Sequence, residues 1–522
     1  MVHSIEPYQR DGPSSVELIL RHSNDRPGSL ALKDDNVSLT YGELAEQVAA
    51  VASGLATLGV EPGNRVALSM PNSAEFIVAT LGCLWLGASF VPLSLDDPTA
   101  RLARTIEDCD PALLVTRSDA DPSVDAMTSQ GRPVIDMETI LASADRAPEA
   151  ATEPDRDAYL IYTSGTTGVP KGIRTPERAF RWAILSAAQI VDLDRTTRTL
   201  GVSAFHFDGS FGTAFPTLVA GGALIIPKRE DLLFLKRFFS AVLEEGITNT
   251  GFSPSYLRLL LSSPLLATLS RSNLGTLGLG GEECVPADLA RLWEVLPNLR
   301  VFNRYGPTET TIQVTTHEIR RQDLASGTVP IGLPHPGVSF HIVAEDGRIV
   351  SEAYEEGELY IGGNQLMRGY WRDEELTSSV LRDDVVPSAT VYRTGDRVCR
   401  DSRGRLLFVG RTDGVVKRTG VRVSLGEVAR ALRCVDHVSG AICLPTDLGG
   451  RLAITAFVEA GPEVTVPELM EAARAQLPAT MLPDEVFLVR TLPLASSGKV
   501  DGGRLLADAA RERWIPASPG LA

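Results

Sequence analysis

Lysine is scarce in this chain. The 50 basic residues include only Lys33, Lys171, Lys228, Lys236, Lys417 and Lys499, and arginine supplies the rest. Aromatic residues are few, at 6%. The cysteines Cys83, Cys109, Cys284, Cys399, Cys434 and Cys443 form no CxxC pair and have no histidine nearby at metal-ligand spacing. That excludes a disulfide scaffold and a zinc module, and it points to free thiols in a reducing, cytoplasmic setting. A positive balance is also missing: 66 acidic residues against 50 basic ones give −16. Nucleic acid and anionic membrane surfaces are therefore excluded as main partners. The N-terminus, MVHSIEPYQRDGPSS, has no apolar signal core. The uncharged stretch over residues 76–95 is broken by Gly82, Gly87 and Pro92. A membrane span wants about 20 unbroken apolar residues, so this stretch predicts a buried helix followed by a buried strand.

What the chain does have is length and ordinary apolar content: 522 residues, 43% hydrophobic. That is enough for roughly three domains of about 150 residues. No fixed-period repeat appears. Residues 41–58 read as a helix with Thr40 as N-cap, 65–69 as a strand, 74–87 as a helix, and 112–116 and 133–135 as further strands. This alternation predicts α/β layers with mainly parallel sheets. From about Gly327 the pattern turns strand-rich, which predicts a distorted antiparallel sheet or barrel. After GRTDG at 410–414 helix and strand alternate again over a stretch the size of a small α/β domain. The boundary is expected between 412 and 413.

The segment most informative about chemistry is YTSGTTGVPKG at 162–172, which follows the apolar run AYLIY. Glycines let a backbone turn sharply and bring N–H groups against an anion. Thr163, Ser164, Thr166 and Thr167 add hydroxyls between Gly165 and Gly168, and Lys171 adds a charge. This is equipment for gripping a polyphosphate. It is not a Walker A loop, because GK[ST] is absent.

Seven further segments accompany this loop: LTYGELA (39–45), LGASFVPL (86–93), FNRYGPTETT (302–311), GELYIGG (357–363), YRTGD (392–396), GRTDGVVK (410–417) and LPLASSGKVD (492–501). In this content and order, across nearly the whole chain, the sequence resembles the acyl-adenylate-forming superfamily. Within it, the chain is similar to the amino acid adenylation domains of nonribosomal peptide synthetases. The resemblance implies a fold: a large N-terminal portion, 1–412, of two α/β sheets plus a distorted β-barrel, and a small mobile C-terminal domain, 413–522. It implies a two-step reaction, in which a carboxylate attacks the α-phosphate of ATP and a thiol then takes the acyl group, releasing AMP.

It also implies roles. Lys499 matches the adenylation lysine, Thr308 an α-phosphate contact and Glu309 the Mg²⁺ carboxylate. Asp396 and Arg411 match ribose contacts, and Tyr305 an adenine-stacking ring. Lys171 and the residues 163–168 would cradle phosphates. Asp413 matches the hinge, and its neighbours Gly410 and Gly414 tolerate large rotations. The stretch VKRTGVRVSLGE departs from the family pattern at Arg418-Thr419, which leaves the thiol-acceptor tunnel undefined.

Asp208, in FHFDGS, falls where peptide-synthetase relatives place the carboxylate that pairs with the substrate ammonium. An unpaired buried carboxylate is costly, so activators of aryl and fatty acids usually lack it. The substrate is therefore expected to be an amino acid, and the alternative is a CoA ligase for a non-amino carboxylic acid. The remaining pocket positions carry over as Gly209, Gly212, Gly251, Gly278, Gly280, Arg304, Ile312 and Gln313. The glycines predict a long or wide cavity for a large substrate. Arg304 either meets an acidic substrate group or points to solvent. The run FDGSFGTAF suggests unusual amine placement, similar to enzymes that load β-amino acids in macrolactam assembly. No GGxS-type phosphopantetheine segment is present in the chain. The acceptor thiol is therefore expected on a separate carrier protein, or on coenzyme A.

Overall fold

The structure is a computed structural model. It describes residues 9, 12–117, 131–163, 170–411, 414–449, 451–493 and 500–511. The expected helix forms over Tyr41–Thr57. Thr40 accepts from the Glu43 N–H while the Glu43 carboxylate accepts from Thr40, a reciprocal cap that fixes where the helix starts. The uncharged stretch becomes helix Ala74–Leu86, capped by Ser73 and stopped by Gly87 at φ 81°. Strand Ser89–Pro92 follows, buried throughout. Among the described residues no helix is long and apolar enough to cross a membrane.

The chain divides into two compact units. The first comprises the chain up to Leu95, Cys109–Ile161 and Gly172–Gly410. The second comprises Asp96–Asp108, Tyr162–Lys171 and the chain from Arg411 onward.

Three sheets build the first unit. An eight-stranded sheet runs in the order Thr315–Ile319, Arg300–Tyr305, Thr276–Gly280, Asn249–Phe252, Arg198–Gly201, Ala223–Ile225, Leu30–Lys33, Ser38–Thr40. Its inner pairings are parallel and both end pairings antiparallel. A seven-stranded sheet runs Gly369–Tyr370, Lys171–Pro176, Asp157–Thr163, Ser89–Pro92, Arg65–Ser69, Leu113–Thr116, Val134–Asp136. The third sheet pairs Val338–Val343, Gly357–Gly363, Ala389–Arg400 and Leu381–Val386 antiparallel, with Leu406–Arg411 alongside Ala389–Arg400. A register shift at Glu358/Tyr360 bends it, giving the expected distorted half-barrel.

The scarce aromatics are concentrated where helix Asp208–Val219 meets the seven-stranded sheet. Phe211 and Phe215, one turn apart, contact Phe90, Tyr159 and Phe180 edge to face at centroid distances of 5.1–5.6 Å. This cluster anchors the helix whose first residue is Asp208.

In the second unit a three-stranded sheet, Val438–Asp447, Leu452–Ala460 and Glu485–Val489, carries helices Leu425–Arg433 and Val466–Arg474 on a shared core around Val428, Ile454 and Leu469. The hairpin Val415–Arg418/Val421–Ser424 precedes it. Arg101 is buried here against Asp97 at 3.2 Å and against Glu427.

Candidate active site

Strand Arg300–Tyr305 pairs with Thr315–Ile319 from Tyr305↔Thr315 outward. The chain between them, GPTETTIQV, is therefore forced into a loop. Gly306 makes the tight return possible, since a Cβ there would lie 2.5 Å from the Gln313 Cα. Thr308–Thr310 form one 3₁₀ turn, and Thr311 and Ile312 then take φ of 56° and 68°. Two successive β-branched residues in the left-handed region are strained, as is common where structure serves a site.

This loop delivers Thr308, Glu309 and Ile312 to the start of helix Asp208–Val219. Burial pushes the Asp208 carboxyl up to about 6, opposed by hydrogen bonding from Thr308 and from the Gly209 and Ile312 backbone and reinforced by the nearby Glu309 charge. One carboxylate oxygen, Oδ2, is shielded from water and has no hydrogen-bond partner. Glu309 itself is fully buried. The Tyr370 hydroxyl donates to its Oε1 at 2.9 Å, and the Met367 N–H donates to its carbonyl at 3.0 Å. Tyr305 donates through its hydroxyl to Asp396 Oδ2 at 2.5 Å, and the Asp396 N–H donates to Thr394 at 2.9 Å.

The glycines do not leave the wide cavity expected from sequence. Gly251 and Gly278 pair across adjacent strands, and Gly278 pairs in turn with Phe302. A Cβ on Gly278 would sit 2.2 Å from Arg304 Cζ, and one on Gly251 would sit 2.7 Å from Thr213 Oγ1 and 3.3 Å from Arg304 Nη1. A Cβ on Gly280 would lie 3.1 Å from the Arg304 carbonyl oxygen, and one on Gly212 would meet Ile312 at 2.6 Å. Their room is thus taken by Arg304 and by close backbone packing. Only Gly209 borders open space. Arg304 turns inward over these glycines. Its Nη1 donates to the Gly212 carbonyl at 3.3 Å and to Thr213 Oγ1 at 3.1 Å, and burial lowers its pKa to about 10.

Gln313 is buried and donates to Thr316 Oγ1 at 3.1 Å. Thr163, Lys171 and Arg411 fall in the second unit, at the ends of strands Asp157–Thr163, Lys171–Pro176 and Leu406–Arg411. Ser164, Gly165, Thr166, Thr167, Gly168, Asp413 and Lys499 lie outside the described residues.

Sequence reasoning missed Tyr370 and Thr213. Tyr370 reaches Glu309 only because strand Gly369–Tyr370 pairs with Arg174 and Ile173, a long-range register that one sequence does not reveal. Thr213 had a usable signal: it follows Gly212 on the helix that begins with Asp208. Among the described residues no group of three or more His, Cys, Asp or Glu could hold a metal ion. A lone buried glutamate still fits Mg²⁺, which is held through one or two carboxylates with phosphate oxygens completing the shell.

Residues 19–371 match the family model described as AMP-binding enzyme. The chain is 33% identical over 498 residues to isonitrile lipopeptide synthase of Streptomyces coeruleorubidus, covering 94% of this chain and 33% of that protein. It thus spans about a third of that relative's length. Among solved structures, an NRPS protein containing adenylation and PCP domains, bound to a vinylsulfonamide inhibitor, superimposes with a TM-score of 0.83 at 25% identity. That match covers 95% of this chain and 84% of the other. A double mutant of o-succinylbenzoate CoA synthetase from Bacillus subtilis superimposes with a TM-score of 0.83 at 22% identity, covering 94% and 98%, a likeness of fold.

Proposed function

We propose, from the premise that this chain belongs to the AMP-binding enzyme family, that it adenylates an amino acid and passes it to the phosphopantetheine thiol of a separate carrier protein. In the first step the substrate carboxylate attacks the α-phosphorus of ATP and pyrophosphate leaves. In the second, the thiol attacks the carbonyl of the mixed anhydride and AMP leaves.

The observation that carries the amino-acid reading is Asp208. Its Oδ2 is shielded and unpartnered, and a cation would remove the cost of ionising it there. A substrate ammonium is such a cation. The departure FDGSFGTAF supports β-amino acids as candidates beside α-amino acids. The carrier-protein reading draws support from the adenylation–PCP protein that superimposes here.

The other roles follow from what in-line displacement at phosphorus needs, which is charge neutralisation more than acid–base chemistry. Lys499 would stabilise charge at the α-phosphate, with Lys171 and residues 163–168 on the phosphates. Asp396 and Arg411 would take the ribose, and Tyr305 would lie against adenine. Glu309 would hold Mg²⁺, which supplies charge neutralisation on the phosphates when bound. Tyr370 fixes the Glu309 carboxylate in place. Asp413 would be the hinge between a core, 1–412, and a mobile part, 413–522. ATP as substrate favours a cytoplasmic setting, and the carrier-protein acceptor favours natural product assembly.

Pyrophosphate exchange over a panel of α- and β-amino acids and their desamino analogues tests this reading. The expected result is exchange that requires the amine. Exchange driven best by desamino acids would replace the reading with a CoA ligase for a non-amino acid.

A further inference from the structure

Among the described residues, Arg304 is a cation with no carboxylate beside it as a counter-ion. Among the described residues no carboxylate forms an ion pair with it, and its Nε is shielded from water without a hydrogen-bond partner. Its two placed hydrogen bonds both leave from Nη1 and both go to neutral oxygens, Gly212 O and Thr213 Oγ1. The nearby imidazole of His335 is held neutral, since burial and the Arg304 charge push its pKa down to about 4. A guanidinium offers a planar fork of donors suited to a carboxylate, and most of that fork is unused.

The fold has made room for this unpaired group. Gly251 and Gly278 form a trough in the sheet where any side chain would collide with Arg304 or Thr213. Gly212 and Thr213, which hold Nη1, stand four and five residues after Asp208 on one helix. The residues that hold the guanidinium therefore stand about one helical turn, roughly 6 Å along the axis, after Asp208. The two opposite charges are not paired with each other, and each has bonding capacity left over.

We propose that the substrate is an amino acid with a second carboxylate, which Arg304 receives over the glycine trough while Asp208 takes the ammonium. This rests on the adenylation reading above. It deepens that reading by fixing the substrate class as an acidic α- or β-amino acid, such as a four- or five-carbon aminodicarboxylic acid. The remaining carboxylate is the one adenylated.

The test is pyrophosphate exchange by the full chain with aspartate, glutamate and their β-amino isomers. The comparators are asparagine, glutamine and leucine, together with succinate and glutarate as amine-free diacids. The expected kcat/KM favours an acidic amino acid over its isosteric amide by roughly 10²-fold or more, as for a site built around a polar partner. Arg304→Gln should erase that preference, lowering kcat/KM for the acid while sparing or raising it for the amide. Arg304→Lys should keep part of it. A merely structural arginine would lower both substrates equally. Wild-type exchange that is as good with amides or leucine as with acids overturns the proposal and leaves amino acid adenylation standing. Exchange with the amine-free diacids alone overturns the amino-acid reading instead. The wild-type panel decides between these even if the variants fold poorly.

Discussion

Two clusters of charge in the first unit are built in opposite ways. Around Glu309 and Asp396 one carboxylate oxygen of each has a donor in place, Tyr370 for one and Tyr305 for the other, and neither carboxylate has a shielded oxygen without a partner among the described residues. Around Asp208 and Arg304 one atom of each group is shielded and unsatisfied. The first cluster is organised before any ligand arrives, as would suit the nucleotide and Mg²⁺ contacts proposed for it. The second holds unmade bonds, which the proposed acyl substrate would complete. On the proposed function, the difference would separate the part of the site shared by a reaction type from the part that chooses a molecule.

The largest way to break this contrast is Asp208→Asn. It should cost about 3–5 kcal/mol in kcat/KM for the amine-bearing substrate, the penalty for removing one member of a buried pair. The desamino analogue should lose far less, and matched steady-state kinetics on the two compounds read out the difference. Equal losses would show that the carboxylate is not meeting an amine.

Next in size is Gly278→Val. Its Cβ would lie 2.2 Å from Arg304 Cζ, so the guanidinium must leave the trough. Overpacking of this kind costs about 1–3 kcal/mol in stability. Urea unfolding should show the loss, and the preference among substrates should shift at the same time.

Tyr370→Phe probes the satisfied cluster. Losing the hydroxyl that holds Glu309 should cost about 1 kcal/mol, seen as a raised KM for Mg·ATP with amino acid selectivity unchanged. A change in selectivity would mean that the two clusters are not separable.

The smallest effects concern Asp208 and pH. The raised carboxyl, titrating near 6, must be ionised to pair with an ammonium. The kcat/KM for an amino substrate should therefore climb as pH rises through about 6, and the desamino analogue should lack that limb. For stability the sign is the reverse. A carboxyl whose pKa is raised by folding contributes most below the unfolded value near 3.9, and that contribution is lost as pH rises through about 6. Asp208→Asn should thus stabilise the ligand-free protein at neutral pH by about 1 kcal/mol, discounted for the partial exposure of the residue. Thermal unfolding at pH 4 and pH 7.5 should show a clearly larger gain at the higher value, because the penalty builds up between the unfolded value near 3.9 and the folded value near 6.

Much of the fold was legible in the sequence because local rules governed it. Thr40 with Glu43 wrote the start of one helix, and Gly87 wrote the end of the next. Strand runs such as 65–69 were buried on both faces and read directly from apolar composition. At the site, Asp208, Thr308 and Glu309 could be picked out by motif, and the structure brings them together. The glycines misled because an absent side chain says only that space exists, not what fills it. Arg304 fills it from the next strand over, through a register that single-sequence periodicity does not carry. Tyr370 was hidden for the same reason.

The glycine trough also has a consequence for how such a site diverges. Selectivity at Arg304, as proposed, would be encoded by one residue resting on glycines that leave it room. Replacing that arginine by a small residue would open, in a single step, a ready-made recess over the glycines, bordered by Thr213 Oγ1 and the Gly278 carbonyl. Nothing else in the scaffold would have to change, because Gly251 and Gly278 already lack side chains. If Arg304 receives an acidic acyl group as proposed, a change at one codon would exchange it for a larger neutral one, whereas the reverse change would need the glycines still in place.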